Sequence, residues 1–170
     1  QLRADLAPGC RITCWDAHYD ESDLAAPLPD GIHRTTVAPA HAAQLVLALD
    51  VLEHVLDDRA FLEEHVVPLV AADGVLIVSV PAHQALFTSH DVALGHHRRH
   101  DAASLRALLE PSCEVLREGS LFTSLLAPRA ASAALEKVRP PSGTPTVDSE
   151  WRHGALLTRT IAGVLGADAA

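Results

Sequence analysis

The side chains best suited to chemistry are carboxylates and imidazoles that follow short apolar runs. Asp16 comes directly after ITCW, and Asp50 comes directly after AQLVLAL and begins the sequence DVLEH, which ends at His54. A carboxylate accepts hydrogen bonds, and an imidazole can exchange a proton near neutral pH. This pattern predicts a polar binding site, although capping of the strand ends would also place Asp16 and Asp50 there.

A second group of candidates lies in residues 83–100, which carry no clear hydrophobic period. Loops of this length tend to be lids or binding segments, so we expect the substrate side of the site here. His83 and His90 from this region, together with His54, are the candidate general bases. For His54 the alternative is a packed histidine that is hydrogen-bonded to the acidic residues near it.

The end of this loop, GHHRRH, holds three candidate substrate contacts: His96, Arg98 and Arg99. A guanidinium group matches carboxylate and phosphate oxygens bidentately, so the two arginines could bind an acidic or phosphorylated substrate. Equally, they could tie the loop to the acidic helix predicted to begin near Asp57.

Imidazole and carboxylate groups are also ordinary metal ligands, and the loop supplies His90, Asp91, His96, His97 and His100. A histidine-rich surface that faces solvent or substrate is the favoured interpretation. Cys10 and Cys14 are spaced C-x3-C without a second ligand pair, which does not favour a zinc site. The sequence analysis therefore assigns no metal to the chain.

Strands and helices alternate in the elements that must position these residues. Strands are predicted at 11–15, 32–37, 43–49, 75–80 and 114–117, and helices at 1–6, 57–70, 102–109, 121–138 and 151–165. The run at 43–49 is continuously apolar, which is typical of a parallel strand buried on both faces. Asp101 is expected to cap the helix at 102–109.

This order predicts an α/β fold with an open sheet, helices on both of its faces, and ligands at the carboxyl ends of the strands. We expect a single domain over residues 1–170. Residues 1–120 would form the α/β core, and residues 121–170 would form a helical C-terminal extension.

Three segments, LVLALDVLEHVLDD, VLIVSVPAH and GHHRRHD, resemble consecutive parts of class I S-adenosylmethionine-dependent methyltransferases that act on small molecules. The turn DVLEH is similar to those of ubiquinone-biosynthesis-like methyltransferases, and the resemblance covers roughly residues 2–126. It implies a Rossmann-like sheet and S-adenosylmethionine as cofactor. By position, Asp16 would accept hydrogen bonds from the ribose hydroxyls, and Asp50 and Val51 would sit beside the methionine part.

The chain departs from this family in several places. The first strand and its glycine-rich cofactor loop are absent, as is a final antiparallel strand, and the missing first strand would leave a gap between residues 11–15 and 43–49. Gln44 and the Ala38-Pro39 pair replace acidic residues. Truncation of an ordinary enzyme is the favoured explanation. Degeneration into a non-catalytic interaction module, or completion of the sheet by a partner, are the alternatives.

Composition limits the partners. The formal charge of -9 argues against nucleic-acid binding, which relies on clustered basic residues. No apolar run is long enough to span a membrane, so no membrane partner is expected and a cytoplasmic location is the default. A dehydrogenase is not favoured because no G-x-G-x-x-G follows a strand. We expect a small-molecule methyl acceptor as the partner, and homo-oligomers are compatible with the sequence.

Overall fold

Residues 9–139, which the computed structural model describes, form two separate two-stranded sheets. Strand β1 (Ile12–Trp15) pairs in parallel with β2 (Ile32–Thr35), and β3 (Ala43–Leu49) pairs in parallel with β4 (Val70–Ser79). The described chain is therefore a mixed α/β protein with parallel pairing, as expected, but its sheets are small.

A crossover connects the strands of the first sheet. It contains helix α1 (Glu21–Ala25), whose first turn is closed by a reciprocal capping box between Asp20 and Asp23. Trp15 at the end of β1 stacks on Phe61, with 6.4 Å between ring centroids. That contact ties the first sheet to the helix that follows β3.

The core lies on one face of the second sheet. Helix α2 (Asp58–Phe61) continues as a π-helix (Leu62–Val66) and a 3-10 turn (Val67–Leu69), and α4 (Ala102–Leu109) packs beside it. Together they cover the sheet with a buried cluster of Ala48, Leu52, Leu62, Val66 and Leu108. The helix predicted at 57–70 is thus confirmed except at Val70, which begins β4, and the Asp101 cap of α4 is confirmed as well.

The opposite face of this sheet is open. Leu45, Leu47, Leu49, Val75 and Ile77 are each 44–51% exposed, whereas α2, its continuation to Leu69 and α4 pack on the face of Ala48. The prediction that residues 43–49 are buried on both faces is therefore wrong, and within residues 9–139 helices are seen on one face of this sheet. Alternate side chains point to opposite sides of a strand, so one covering layer buries half of them.

Strand β4 begins earlier than predicted, at Val70, and runs through the Asp73-Gly74 pair as a bulge instead of a turn. A Cβ on Gly74 would lie 2.9 Å from the carbonyl oxygen of Ala43, so the close approach of the two strands requires glycine. A strand at 114–117 was also predicted, but this segment has no ladder partner among the described residues and Leu116 is 75% exposed.

The chain then enters helix α5 (Leu126–Val138) through a 3-10 turn (Thr123–Leu125), so the helix predicted at 121–138 begins five residues later. Phe122, with φ +56°, breaks the regular backbone before it. The predicted helices at 1–6 and 151–165, and nearly all of the proline-rich linker at 139–145, lie outside the described residues. No helix of residues 9–139 is long and apolar enough to cross a membrane.

Replacing a core leucine tests this packing. We expect Leu62→Ala to lower the free energy of unfolding by about 2–5 kcal/mol, since Leu62 is fully buried and its truncation leaves a cavity. Leu56→Ala is the matched control, because Leu56 is 76% exposed, and its effect should stay within about 0.5 kcal/mol. Urea denaturation followed by circular dichroism measures both. Equal losses in the two variants would contradict the described core.

Candidate functional site

A tight turn forms at the carboxyl end of β3. Asp50 adopts a left-handed backbone conformation with φ +52°, which Asp tolerates better than most residues. Its amide donates to the carbonyl oxygen of Ser79 at 3.0 Å, and its Oδ1 accepts from the Ser79 hydroxyl at 3.1 Å. A 3-10 turn (Leu52–His54) follows directly. The two hydrogen bonds with Ser79 fix Asp50 to the end of β4. The chain turns at Asp50, so Glu53 and His54 lie beyond the end of the strand.

The segment after β4 folds back onto this turn. The His100 amide donates to the Pro81 carbonyl oxygen at 3.0 Å, and the His83 amide donates to that of His100 at 2.9 Å. The His97 amide donates to the Glu53 carbonyl oxygen at 2.7 Å. Although residues 83–100 lack a sequence period, they contain a 3-10 turn (Gln84–Leu86) and helix α3 (Ser89–Ala93). The loop is thus an ordered cover over the Asp50 to His54 turn.

Asp91 holds this cover together. Its fully buried carboxylate accepts from Arg99 Nε at 2.8 Å, from Arg129 Nη2 at 2.7 Å and from the Thr88 amide at 2.8 Å, and His96 Nδ1 lies 3.2 Å away. Burial by itself would raise the pKa of Asp91. The hydrogen bonds from Arg99, Thr88 and His96 outweigh burial and lower it to about 2.

The side chains of Glu53, His54 and His96 lie close together beside the Asp91 carboxylate and its partners. One potential ligand atom from each lies within 4.8 Å of the others, and the His54 and His96 rings meet edge to face with centroids 4.6 Å apart. Glu53 is fully buried, and neither of its carboxylate oxygens has a hydrogen-bond partner. The group is therefore a polar cluster with an unsatisfied acceptor at its buried end.

The electrostatics of this group follow from burial and from neighbouring charges. Burial raises the pKa of Glu53, and the negative charge of Asp50 adds to that rise. The Glu53 amide, His96 and Arg99 lower this pKa and so oppose the rise. Burial also lowers the pKa of His54, as does the nearby His96. His54 is consequently held toward its neutral form, in which a ring nitrogen has a free lone pair.

The predicted cofactor residues lie at two different places in the structure. Asp50 and Val51 lie in the turn, where the Val51 carbonyl oxygen accepts from the His54 amide at 3.0 Å. Asp16 follows β1 as predicted, its side chain is 51% exposed, and its Oδ1 accepts from the His18 amide at 2.9 Å. One oxygen of Asp16 therefore closes a local turn, as the capping alternative requires.

Only some of the predicted catalytic and substrate residues lie close to one another. His54 and His96 meet, whereas His83 and His90 are exposed and stand outside the Glu53 group. Arg98 pairs with Asp58 at 2.6 Å, as the alternative of a tie to the acidic helix requires. Both guanidinium groups, those of Arg98 and Arg99, are engaged within the chain.

The sequence analysis considered Glu53 only as one of the acidic partners of a packed His54 and Asp91 only as a metal ligand, and it gave no role to Arg129. The motif DVLEH did contain a signal for Glu53, because an acidic residue between Leu52 and His54 falls in the buried part of the turn. Arg129 carried no such signal. It reaches Asp91 across 38 positions of sequence, a contact that depends on where α5 packs.

No protein-family model, no curated protein and no solved structure matches the chain. The functional argument accordingly depends on the geometry of residues 9–139 and on the sequence motifs.

Acid should weaken the fold through Asp91. The folded pKa of about 2 lies below the ordinary value of 3.8 for an aspartate, so the stabilisation is complete above about pH 4 and is lost as the pH falls toward 2. We expect this component to be about 2 kcal/mol, and Asp91→Asn should remove it. Denaturation from pH 6 to pH 2 measures it, with the exposed Asp30→Asn as control. An acid dependence in Asp91→Asn that equals the wild-type one would contradict the assignment.

Proposed function

We propose that the protein transfers a methyl group from S-adenosylmethionine to a small-molecule acceptor, on a Rossmann-like fold. The observation that carries the proposal is the position of two carboxylates. Asp16 directly follows β1 and Asp50 directly follows β3, and each strand is paired in parallel. In open α/β sheets, ligands bind at the carboxyl ends of such strands. The resemblance of the DVLEH and GHHRRH segments to class I methyltransferases supports the choice of cofactor.

Asp16 is suited to bind the two ribose hydroxyls. Its side chain is half-exposed and uses Oδ1 for the His18 amide, and an ionised carboxylate has acceptor sites for further donors. Asp50 and Val51, in the turn that the end of β4 holds, would face the methionine part. Positioning of the methyl group against the acceptor then provides most of the rate acceleration.

The acceptor site is assigned to the space beside His54 and His96. Of the three candidate bases, His54 is the one next to Asp50, and its lowered pKa favours the neutral form that can accept a proton. Arg98 and Arg99 would have to leave their ion pairs with Asp58 and Asp91 in order to bind an anionic acceptor. They therefore act first as residues that position the loop.

Cofactor binding is tested by calorimetric titration of the 170-residue chain with S-adenosylhomocysteine. We expect saturable binding that weakens at least tenfold in Asp16→Asn, because a hydrogen bond to a charged group is worth about 1.5–3 kcal/mol. Asparagine keeps an oxygen for the His18 amide, so the turn should persist. Asp30→Asn, an exposed aspartate before β2, should bind as the wild type does. No binding by the folded wild-type chain would refute the proposal.

One observation favours a second function, that of a non-catalytic interaction module. The open face of the β3 and β4 sheet carries a stripe of five exposed aliphatic side chains, defined above, and contiguous apolar surfaces of this kind mark interaction sites. The occupant that we assign is a second copy of the chain. A self-complementary apolar stripe can pair with itself about a two-fold axis without opposing charge to charge.

Sedimentation velocity as a function of concentration tests this second function. We expect a dimer that Leu47→Asp converts to a monomer, since Leu47 lies in the middle of the stripe and is 46% exposed. Leu116→Asp, at an exposed leucine outside the sheet, should leave the dimer intact. A wild-type chain that remains monomeric at all concentrations would exclude this pairing.

A further inference from the structure

We infer that Glu53, His54 and His96 form a binding site for one divalent transition-metal ion of the zinc type. The sequence motifs assign no metal to the chain, and the inference arises from the juxtaposition of three donor groups around a carboxylate without partners. Two imidazoles and one carboxylate are a ligand set that suits zinc and its neighbours in the first transition row.

The Glu53 carboxylate is the strongest reason. Its side chain is fully buried, and neither of its oxygens accepts a hydrogen bond from another residue. A buried carboxylate normally has hydrogen-bond donors or a cation beside it, because its removal from water otherwise costs on the order of several kcal/mol. Asp50 adds a second negative charge to its surroundings. A bound dication would satisfy Glu53 and offset both charges.

His96 is oriented as metal-binding histidines usually are. Its Nδ1 lies 3.2 Å from Asp91 Oδ1, and its side chain is only 8% exposed. A ring N–H that donates to a carboxylate fixes the tautomer, leaves the lone pair on Nε2, and raises the basicity of that nitrogen. Asp91 itself is held by Arg99 and Arg129, so the imidazole plane has a rigid support.

His54 completes the set from the exposed side. Its imidazole is exposed, and a ring nitrogen of His54 is the third donor of the group beside Glu53 and His96. The donor atoms lie within 4.8 Å of one another, while tetrahedral zinc ligands at about 2.1 Å from the metal are about 3.4 Å apart. Rotation of the exposed His54 side chain can close this difference. Three protein ligands leave a fourth position open toward solvent, as in catalytic sites.

The nearby cations do not occupy the site. Arg99 acts on the Glu53 carboxylate through its charge, but neither Arg99 nor His96 donates a hydrogen bond to that carboxylate. Arg99 is instead directed to Asp91 and to the Ala82 carbonyl oxygen. The charge of Glu53 is thus partly balanced at a distance, and its oxygens stay available to an ion.

This site does not depend on methyl transfer, although it would change how His54 participates. A ring nitrogen that is bound to a metal cannot also accept a proton, so in the metal-bound protein His54 is a ligand and not the general base. Titrations with the metal alone test the site, and S-adenosylhomocysteine titrations of the metal-free chain test the proposed function. Failure of either leaves the other result intact.

The experiment is calorimetric titration of the chelator-treated 170-residue chain with ZnCl2, and in parallel with MgCl2. We expect one equivalent of Zn²⁺ to bind, with Mg²⁺ at least tenfold weaker because two of the three ligands are imidazoles. Glu53→Gln and His54→Ala should each weaken Zn²⁺ binding at least tenfold. Co²⁺ in place of Zn²⁺ should give visible absorption bands in the wild type that both variants lose.

Matched controls are Glu64→Gln and His90→Ala, at an exposed glutamate of the π-helix and an exposed histidine of α3. Both should bind Zn²⁺ within twofold of the wild type. His54 is exposed, so His54→Ala should fold even if Glu53→Gln does not. Zinc affinity that is unchanged in Glu53→Gln and His54→Ala, or the absence of one-equivalent binding by the folded wild type, would overturn the inference.

Discussion

The buried carboxylate of Asp91 is the interaction on which the rest of the site depends. It joins His96 and Arg99 at the end of the loop after β4 to Arg129 of helix α5, which is 38 positions away from Asp91 in sequence. A charge pair without water around it is costly to break, because removal of one partner leaves the others buried and uncompensated. The loop is consequently fixed as a cover, and the orientation of His96 follows from that.

The site contains two buried acidic side chains that differ in their hydrogen bonding. Asp91 is fully satisfied by arginine and amide donors, whereas Glu53 is equally buried and has no hydrogen-bond partner. The first carboxylate stabilises the fold as an anion. The position of Glu53 is fixed by the packing of its neighbour Leu52 and by the hydrogen bond that the His97 amide donates to the Glu53 carbonyl oxygen. Native proteins keep few such unsatisfied groups, and those that persist tend to mark a ligand or an ion.

The two sheets are joined by side-chain contacts and not by a hydrogen-bonded ladder. Trp15 stacks on Phe61 between them, while the described β3 and β4 strands present five aliphatic side chains to solvent. A sheet that is covered on one face stabilises the chain through that layer alone. The open apolar surface therefore lies on one face of β3 and β4, and the candidate site lies at the carboxyl ends of the same two strands.

The sequence by itself determined the local elements and their capping. The apolar run at 43–49, the period of helix α2 and the Asp101 cap are read from residues close together in the chain, because hydrogen bonds and side-chain spacing within one element decide them. The motif DVLEH likewise predicted a turn with Asp50, Val51 and His54. Tertiary structure alone decided which acid is buried and which imidazoles meet, since the approach of His96 to Glu53 and the ion pair of Asp91 with Arg129 require the loop and α5 to pack. It also decided that one face of β3 is open, because burial depends on which helices reach the sheet and not on the apolar character of the strand.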